Sequence, residues 1–302
     1  MQDHKAFFNK FRVEEYFKRS ELDWETLDRI YDDYVMREKS LNLTCDHLET
    51  KIIKLLKNAG IHSIRARVKD KDHLIEKIIR KRGKDFSDKY KDINVSNYMD
   101  VVRDTVGVRI LVLSKENWEA VYDVMKKEFS SDGVNCECRM VEPPVAYTRY
   151  GDRDIFKNKI RTEHSNKGYR SQHYIVKYEG VYCEIQVRTL AEEVYGEFDH
   201  VVKYPYRENN KFLVRYANTM SQLTDAVDEL ISTCLQLKGD GWKQCDSSFQ
   251  EDKYIDWKNI SKSAKEIGDN EEKKQPEQFA VDRNVKENIK NIIFRKKDEY
   301  DV

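Results

Sequence analysis

The sequence feature that most constrains the fold is a nearly continuous apolar run over residues 106–113, which only Gly107 and Arg109 interrupt. Such a run is typical of a strand that lies at the centre of a sheet and is covered on both faces. The chain must therefore supply further strands beside this one and helices to cover it. Because apolar residues at helical spacing occur elsewhere in the chain, the run predicts an α+β fold.

Alternation of apolar and polar residues predicts the neighbouring strands. Four segments alternate in this way: residues 62–69, 134–141, 172–178 and 181–188. The last two are joined by Glu179-Gly180, which predicts a hairpin. We therefore expect a mixed sheet of about five strands flanked by helices. The segment over 146–166 is polar and aperiodic, and is predicted as a long loop that is functional or mobile.

Helical spacing of apolar residues predicts two helices before the sheet and a long one after it. Asp23 is the expected N-cap of the first, the second follows Thr44, and Gly60 ends it. A short helix is expected over 285–294. The predicted organisation has three parts: N-terminal helices (1–60) that pack on a central domain, the central domain itself (61–238), and a charged, partly disordered accessory tail (239–302).

Composition excludes several classes of protein. Lys+Arg and Asp+Glu number 55 each, so the chain is not a globally basic nucleic-acid coat, although a local basic cleft is compatible with this balance. The sequence has no apolar run of about 18 residues and no apolar N-terminal segment, which predicts neither a membrane helix nor a signal peptide. Its six cysteines form no Cys-x-x-Cys pair, which argues against a thiolate zinc site and favours the cytoplasm.

Two carboxylates stand out because of where they lie in the predicted sheet. Glu184 is in the middle of the second hairpin strand, on the same face as Gln186 and Arg188, and Asp104 directly precedes the apolar run. Taken alone, Glu184 fits a solvated sheet face and Asp104 fits an ordinary turn. Together on neighbouring strands they predict a shared Mg²⁺ site, since this ion prefers a few carboxylates plus substrate phosphates.

Cations on the first predicted strand supply the complementary charge. Arg65, Arg67 and Lys69 share one face, and Lys77 follows on the next predicted helix. A solvated basic face would show the same pattern, but cations opposite two carboxylates are also what a triphosphate–Mg²⁺ pocket requires. The sequence contains no Gly-x-x-x-x-Gly-Lys-Ser/Thr segment, so the pocket would not be that of a P-loop NTPase.

A tyrosine at a predicted turn is a further candidate for the site. Tyr169 follows Gly168 at a predicted turn, and His173 begins the next strand. Tyr169 is compatible with core packing, but a tyrosine on a loop beside a basic segment is also a good platform for stacking a base.

Three sequence blocks now identify a resemblance: Asp-x-x-Gly-x-Arg-Ile at 104–110, Gly-Tyr-Arg-Ser-x-His at 168–173 and Glu-Ile-Gln-Val-Arg-Thr at 184–189. In this order they resemble the synthetase domain of the RelA/SpoT family, in particular its stand-alone small alarmone synthetases. Arg67-x-Lys69 with Lys77 is similar to the ATP-binding segment of the family. The resemblance implies a nucleotidyltransferase-like fold and an enzyme that moves the β,γ-diphosphate of ATP to a 3′-hydroxyl.

The resemblance implies a role for each candidate residue. The catalytic residues would be Asp104, Glu184 and His173, with Mg²⁺ held by Asp104 and Glu184. The ATP-binding residues would be Arg67, Lys69 and Lys77, to which strand parity adds Arg65. The acceptor-binding residues would be Tyr169, Lys167 and Gln186.

The sequence leaves the acceptor open. The family loop usually reads Lys-x-Asn-Gly-Tyr, whereas residues 165–169 read Ser-Asn-Lys-Gly-Tyr. GDP or GTP is the first expectation, giving the alarmone (p)ppGpp. Some stand-alone members are toxins that modify the 3′ end of tRNA, which the basic segment 149–161 would suit, and an antitoxin and a homo-oligomer are further expected partners. A third hypothesis is an inactive domain that binds a nucleotide or a partner, against which both carboxylates argue.

Overall fold

The structure is a computed structural model that describes residues 4–130, 138–149, 151–156, 158–165, 168–203 and 210–239. Within these ranges the α-helices are α1 (His4–Phe11), α2 (Glu14–Ser20), α3 (Trp24–Leu55), α4 (Lys71–Gly83), α5 (Tyr98–Val101), α6 (Trp118–Glu128), α7 (Leu190–Lys203) and α8 (Lys211–Gly239). Short 3₁₀ helices span Asp88–Tyr90 and Lys115–Asn117. The predicted helix over 285–294 lies outside the described residues.

The described strands form one mixed sheet. They are β1 (Ile61–Val68), β2 (Val106–Val112), β3 (Cys138–Met140), β4 (Val145–Thr148), β5 (Arg161–His164), β6 (Ser171–Tyr178) and β7 (Val181–Thr189). The order is β1-β2-β7-β6-β4-β5, and β3 also pairs with β6. The pairs β2–β7 and β4–β5 are parallel, and the other pairs are antiparallel. The predicted α+β class with a mixed sheet is therefore confirmed.

The two faces of the sheet differ in polarity, as the sequence pattern of its central strand requires. On one face, paired residues such as Val108, Ile185 and Tyr174 are fully buried in a core that α3, α4 and α6 complete. The opposite face carries Gly107 and Arg109 of β2, which are only half-buried. The apolar run is thus central, but one of its faces is polar and partly open.

Two of the predicted strands meet in the expected hairpin. Glu179 and Gly180 both have positive φ, of 47° and 80°, as in the two-residue turns whose twist matches antiparallel strands. This turn fixes the register of β6 and β7, so that His173 lies opposite Gln186.

Three details of the predicted architecture are wrong. The two predicted N-terminal helices are one helix, α3, for which Asp23 is the N-cap, with Thr26 N donating to Oδ1 at 2.6 Å. Thr44 is buried inside α3, and its hydroxyl donates to Glu179. The segment predicted as a loop over 146–166 contains most of β4 and all of β5, and the described sheet consequently has seven strands instead of about five.

Among the described residues, no helix is both long enough and apolar enough to cross a membrane.

Candidate active site

The candidate site lies on the polar face of the sheet. Arg67 of β1 pairs with Gly107 of β2, which in turn pairs with Glu184 of β7. Residues paired in this way point to the same face of a sheet. A Cβ placed on Gly107 would meet no atom within 4 Å, so the glycine leaves a hollow between the arginine and the glutamate.

Asp104 lies immediately before β2 and binds two lysines. Its Oδ2 is 3.0 Å from Lys69 Nζ and 2.7 Å from Lys77 Nζ, and all three side chains are largely buried. Burial opposes ionisation of Asp104, but the two ammonium groups outweigh it and lower its pKa to about 2. Asp104 is therefore an anion at neutral pH. Its Oδ1 is buried without a hydrogen-bond partner in the described part of the chain.

Arg65 and Arg67 differ from the two lysines, because neither has an ion pair or hydrogen bond with any described residue. Both side chains are exposed on the polar face of β1. Strand alternation thus places these cations where the sequence pattern predicts them. The fold leaves their charge uncompensated beside Asp104 and its lysines.

Glu184 is held by neighbours on both sides. Its Oε1 lies 3.1 Å from His173 Nδ1, and its Oε2 accepts a hydrogen bond of 2.6 Å from Gln186 Nε2. Burial opposes ionisation, but the hydrogen bond and charge of His173 outweigh it, so the pKa of Glu184 lies below its ordinary value. Glu184 is consequently a preoriented carboxylate with its charge retained.

Tyr169 enters the site from a turn that packs on α8. Gly168 has a φ of +76°, and a Cβ there would lie 2.5 Å from Ser221 Oγ, so the close approach requires glycine. The hydroxyl of Ser221 donates to Gly168 O at 3.2 Å. The Tyr169 ring is half-buried, with Tyr147 and His173 as aromatic neighbours. Lys167 lies outside the described residues.

Sequence reasoning assigned no role to Arg109 or Arg188, although both lie on this face. Arg109 Nη1 donates to Glu193 at 2.7 Å and also to Glu197, both on α7. Arg188 Nη1 donates to the other oxygen of Glu193 at 2.9 Å. The sequence did contain a signal for Arg188, because it lies four residues after Glu184 on the same strand and therefore on the same face of the sheet. The helix α7 thus borders the polar face through its carboxylates.

The basic segment over 149–161 has a different electrostatic environment. Arg153 is 2.6 Å from Glu116, and Lys159 is paired with Glu119. Arg149 and Arg161 also have carboxylate partners, at 3.4 Å from Asp225 and 2.7 Å from Glu163 respectively. The described cations of this segment are therefore charge-compensated by the protein itself.

The donor set fits a divalent cation that also contacts a substrate. An ionised carboxylate with a buried, unpartnered oxygen and the hollow over Gly107 are the observations that favour this fit. No group of three His, Cys, Asp or Glu side chains within the described ranges is arranged to hold a metal. Substrate phosphates and water would have to complete the coordination of Mg²⁺ by Asp104 and Glu184.

The arrangement of a mixed sheet with carboxylates and unpaired cations on one open face is that of a nucleotidyltransferase-like domain. Residues 66–209 match the sequence profile described as the region found in RelA / SpoT proteins. The chain therefore contains the region found in RelA / SpoT proteins. The resemblance identified in the sequence is confirmed.

Solved structures show the same fold. Small alarmone synthetase 1 from Bacillus subtilis has a TM-score of 0.53 and 20% sequence identity, covering 70% of this chain and 100% of that chain. The same enzyme bound to AMPCPP has a TM-score of 0.51 and 18% identity, with coverage of 70% and 100%. None of the curated proteins compared with the chain matches it. The predicted antitoxin and homo-oligomer stay predictions.

Proposed function

We propose that this protein transfers the β,γ-diphosphate of ATP to the 3′-hydroxyl of GDP or GTP, releasing AMP and forming (p)ppGpp. The observation that carries the proposal is the juxtaposition on one sheet face of unpaired arginines, the Asp104–lysine cluster and the preoriented Glu184. Phosphoryl transfer depends mainly on positioning and charge neutralisation, and this face provides both.

The ATP phosphates bind at the β1 side of the face. Arg65 and Arg67 supply charge that has no partner among the described residues, so binding a polyanion breaks no ion pair of theirs. Lys69 and Lys77 lie beside them, where both form ion pairs with Asp104. The observation that B. subtilis small alarmone synthetase 1 is bound to the ATP analogue AMPCPP on the same fold supports this assignment.

Asp104 and Glu184 would hold Mg²⁺, which when bound neutralises developing charge on the transferred phosphates. Glu184 accepts the proton of the 3′-hydroxyl while the hydroxyl oxygen attacks the β-phosphorus. The bond between the α-phosphate and the β-phosphorus breaks. His173 keeps Glu184 ionised and oriented through their 3.1 Å contact. Negative charge passes to the departing AMP.

The acceptor binds on the β6–β7 side, where Tyr169 offers a half-buried ring and Gln186 lies beside Glu184. Stacking on a base contributes about 1–3 kcal/mol but does not choose among bases. A tRNA acceptor would require many phosphate contacts, yet the described cations over 149–161 are already paired with carboxylates. A free guanine nucleotide is the acceptor that this charge distribution favours.

A transfer assay tests the proposal. The pure protein is incubated with Mg²⁺ and γ-labelled ATP, separately with GDP, GTP, total tRNA or no acceptor, and Glu184→Gln serves as the inactive control. Label is expected on GDP and GTP, at the 3′ position. Label on tRNA alone would replace the guanine nucleotide by tRNA as acceptor. No transfer by a folded protein that binds ATP would identify an inactive nucleotide-binding domain.

A further inference from the structure

Five side chains on the polar face close a ring of hydrogen bonds, here named the Arg188 ring: Glu184, His173, Tyr169, Arg188 and Gln186. Starting at Arg188, Nη2 donates to Tyr169 Oη at 2.5 Å, and Tyr169 Oη lies 2.9 Å from His173 Nε2. His173 Nδ1 then reaches Glu184 at 3.1 Å. In the other direction Arg188 Nη2 donates to Gln186 Oε1 at 2.7 Å, and Gln186 donates to Glu184 at 2.6 Å.

Chemistry fixes the donors at the two ends of this ring. A guanidinium only donates and a carboxylate only accepts, so Arg188 donates to Tyr169 Oη and Gln186 Oε1, and the other end of each arm donates to Glu184. The contact between Tyr169 Oη and His173 Nε2 is compatible with either direction, because a hydroxyl both donates and accepts. Two arms therefore run from Arg188 to Glu184, one through Tyr169 and His173 and one through Gln186.

Arg188 itself is rigidly placed. It is 5% exposed, and Nε and Nη1 donate to Ser171 and Glu193 at 3.3 and 2.9 Å. Its guanidinium also lies 4.9 Å from the centre of the Tyr169 ring. A Cβ on Gly196 of α7 would lie 2.7 Å from Nη1, so this glycine makes room for the arginine.

We propose that Arg188 is a positioning residue that orients Glu184 and Tyr169 together, and so couples the placement of the acceptor base to the orientation of the group that takes its proton. The consequences for catalysis rest on the proposed function, whereas the hydrogen bonds of the ring do not. Arg188 touches neither the reacting atoms nor the carboxylate directly. It acts through Tyr169, His173 and Gln186.

Opening the ring has a defined geometric consequence. Without the guanidinium, Tyr169 Oη and Gln186 Oε1 each lose a donor, so the two side chains that hold the oxygens of Glu184, His173 and Gln186, are fixed by one contact fewer. Because transfer depends on the placement of the reacting groups, a carboxylate that is held less firmly lowers kcat and leaves the ATP side of the face unchanged.

Two measurements on Arg188→Met test the proposal. The first is ¹⁵N NMR of His173, whose Nδ1–H should be protected from exchange with solvent in the wild type and exchange faster in the variant. The second is steady-state kinetics, in which kcat should fall while the KM for ATP stays close to the wild-type value. We expect kcat to fall on the order of a hundredfold, the scale of a small misplacement of reacting groups, while ATP affinity is kept.

Arg170→Met is the matched control. Arg170 is as buried as Arg188, but its ion pairs are with Asp152 and Asp225, outside the ring. Its loss should lower stability without lowering kcat or the exchange protection of His173 Nδ1–H. Should Arg188→Met fail to fold, Tyr169→Phe keeps the aromatic ring, opens one arm and should lower kcat by a smaller factor.

The proposal is overturned if kcat and the exchange protection of His173 Nδ1–H in the Arg188 and Tyr169 variants match the wild type. Arg188 would then act only in stability, as Arg170 does. Failure of the proposed function has a different signature, since a wild type that labels no acceptor can still show the protected Nδ1–H that the Arg188 ring requires.

Discussion

The cations of β1 and those of the segment over 149–161 are similar in residue type but differ in their partners. Arg65 and Arg67 have no carboxylate among the described residues, whereas Arg153 and Lys159 are paired with Glu116 and Glu119. Both regions read as basic in the sequence. The comparison teaches that a run of cations indicates a phosphate site only where the fold leaves the charge uncompensated.

The difference has a local origin in the sheet. The β2 residues opposite Arg65 and Arg67 are Arg109 and Gly107, neither of which carries negative charge. The second region instead lies against the 3₁₀ helix Lys115–Asn117 and α6, whose first turns carry Glu116 and Glu119. Since surface ion pairs contribute little to stability, the pairing matters here for where a ligand binds.

The largest expected effect is at Glu184. Glu184→Gln should lower kcat by about a thousandfold, the scale for losing a group that stabilises the transition state, with little change in the thermal midpoint. Asp104→Asn should lower kcat to a similar extent but also lower the thermal midpoint, because Lys69 and Lys77 lose their carboxylate. Glu163→Gln is the matched control, because Glu163 also lies on a strand and contacts Arg161, and steady-state kinetics should show near-normal turnover. Near-normal transfer by Glu184→Gln at saturating Mg²⁺ would remove it from the site.

A smaller effect concerns the paired lysines. Lys69 and Lys77 hold the pKa of Asp104 at about 2, below the ordinary value of 3.8, so their contribution to stability is present above about pH 4 and lost as the pH falls through 2. Because the two lysines share this shift, Lys77→Met should lower the free energy of unfolding by about 1 kcal/mol at pH 6 and much less near pH 2. Urea unfolding across this range measures the difference.

The lysine prediction has its own control on α4. Lys71 lies 3.8 Å from Glu38 and is more exposed, so Lys71→Met should change stability little and by the same amount at every pH. A loss in Lys77→Met that is constant from pH 6 to pH 2 would show that the ion pair with Asp104 does not set its pKa.

The smallest expected effect comes from releasing the compensated cations. In the variant Glu116→Gln/Glu119→Gln, Arg153 and Lys159 lose their partners and become similar to the β1 arginines. Binding to a single-stranded RNA homopolymer should strengthen several-fold at low salt. The dependence of the logarithm of the binding constant on the logarithm of the salt concentration should steepen by the equivalent of up to about two phosphate contacts. Fluorescence anisotropy measures both. An unchanged slope would mean that pairing does not control these charges.

The sequence predicts the parts of the fold that depend on local pattern. Alternation identifies β1, β6 and β7 and the face shared by Arg65, Arg67 and Glu184, and the turn chemistry of Glu179-Gly180 identifies the hairpin. It misses β5 because Arg161–His164 is short, polar and mostly exposed, so its strand conformation depends on pairing with β4. The predicted break near Thr44 is wrong because a residue distant in sequence, Glu179, provides the partner of its hydroxyl.

For the candidate site, residue types and parity predict the charged groups but not their partners. That Asp104 binds both lysines follows from the approach of β1 and α4 to the start of β2. Arg188 was missed because its role depends on contacts with the turn at Tyr169 and with α7. Such contacts between distant segments leave no periodic signal in the sequence.

The central claim is that, of the two basic regions, the one whose arginines the fold leaves unpaired binds the ATP phosphates. Calorimetric titration with AMPCPP and Mg²⁺ tests it on two variants that each remove two positive charges, Arg65→Ala/Arg67→Ala and Arg153→Ala/Lys159→Ala. The account predicts that the first binds AMPCPP at least tenfold more weakly than the wild type, as for lost hydrogen bonds to a charged group. The second should bind within about twofold, as for a distant, screened charge. Equal weakening in both variants, or none in the first, would contradict it.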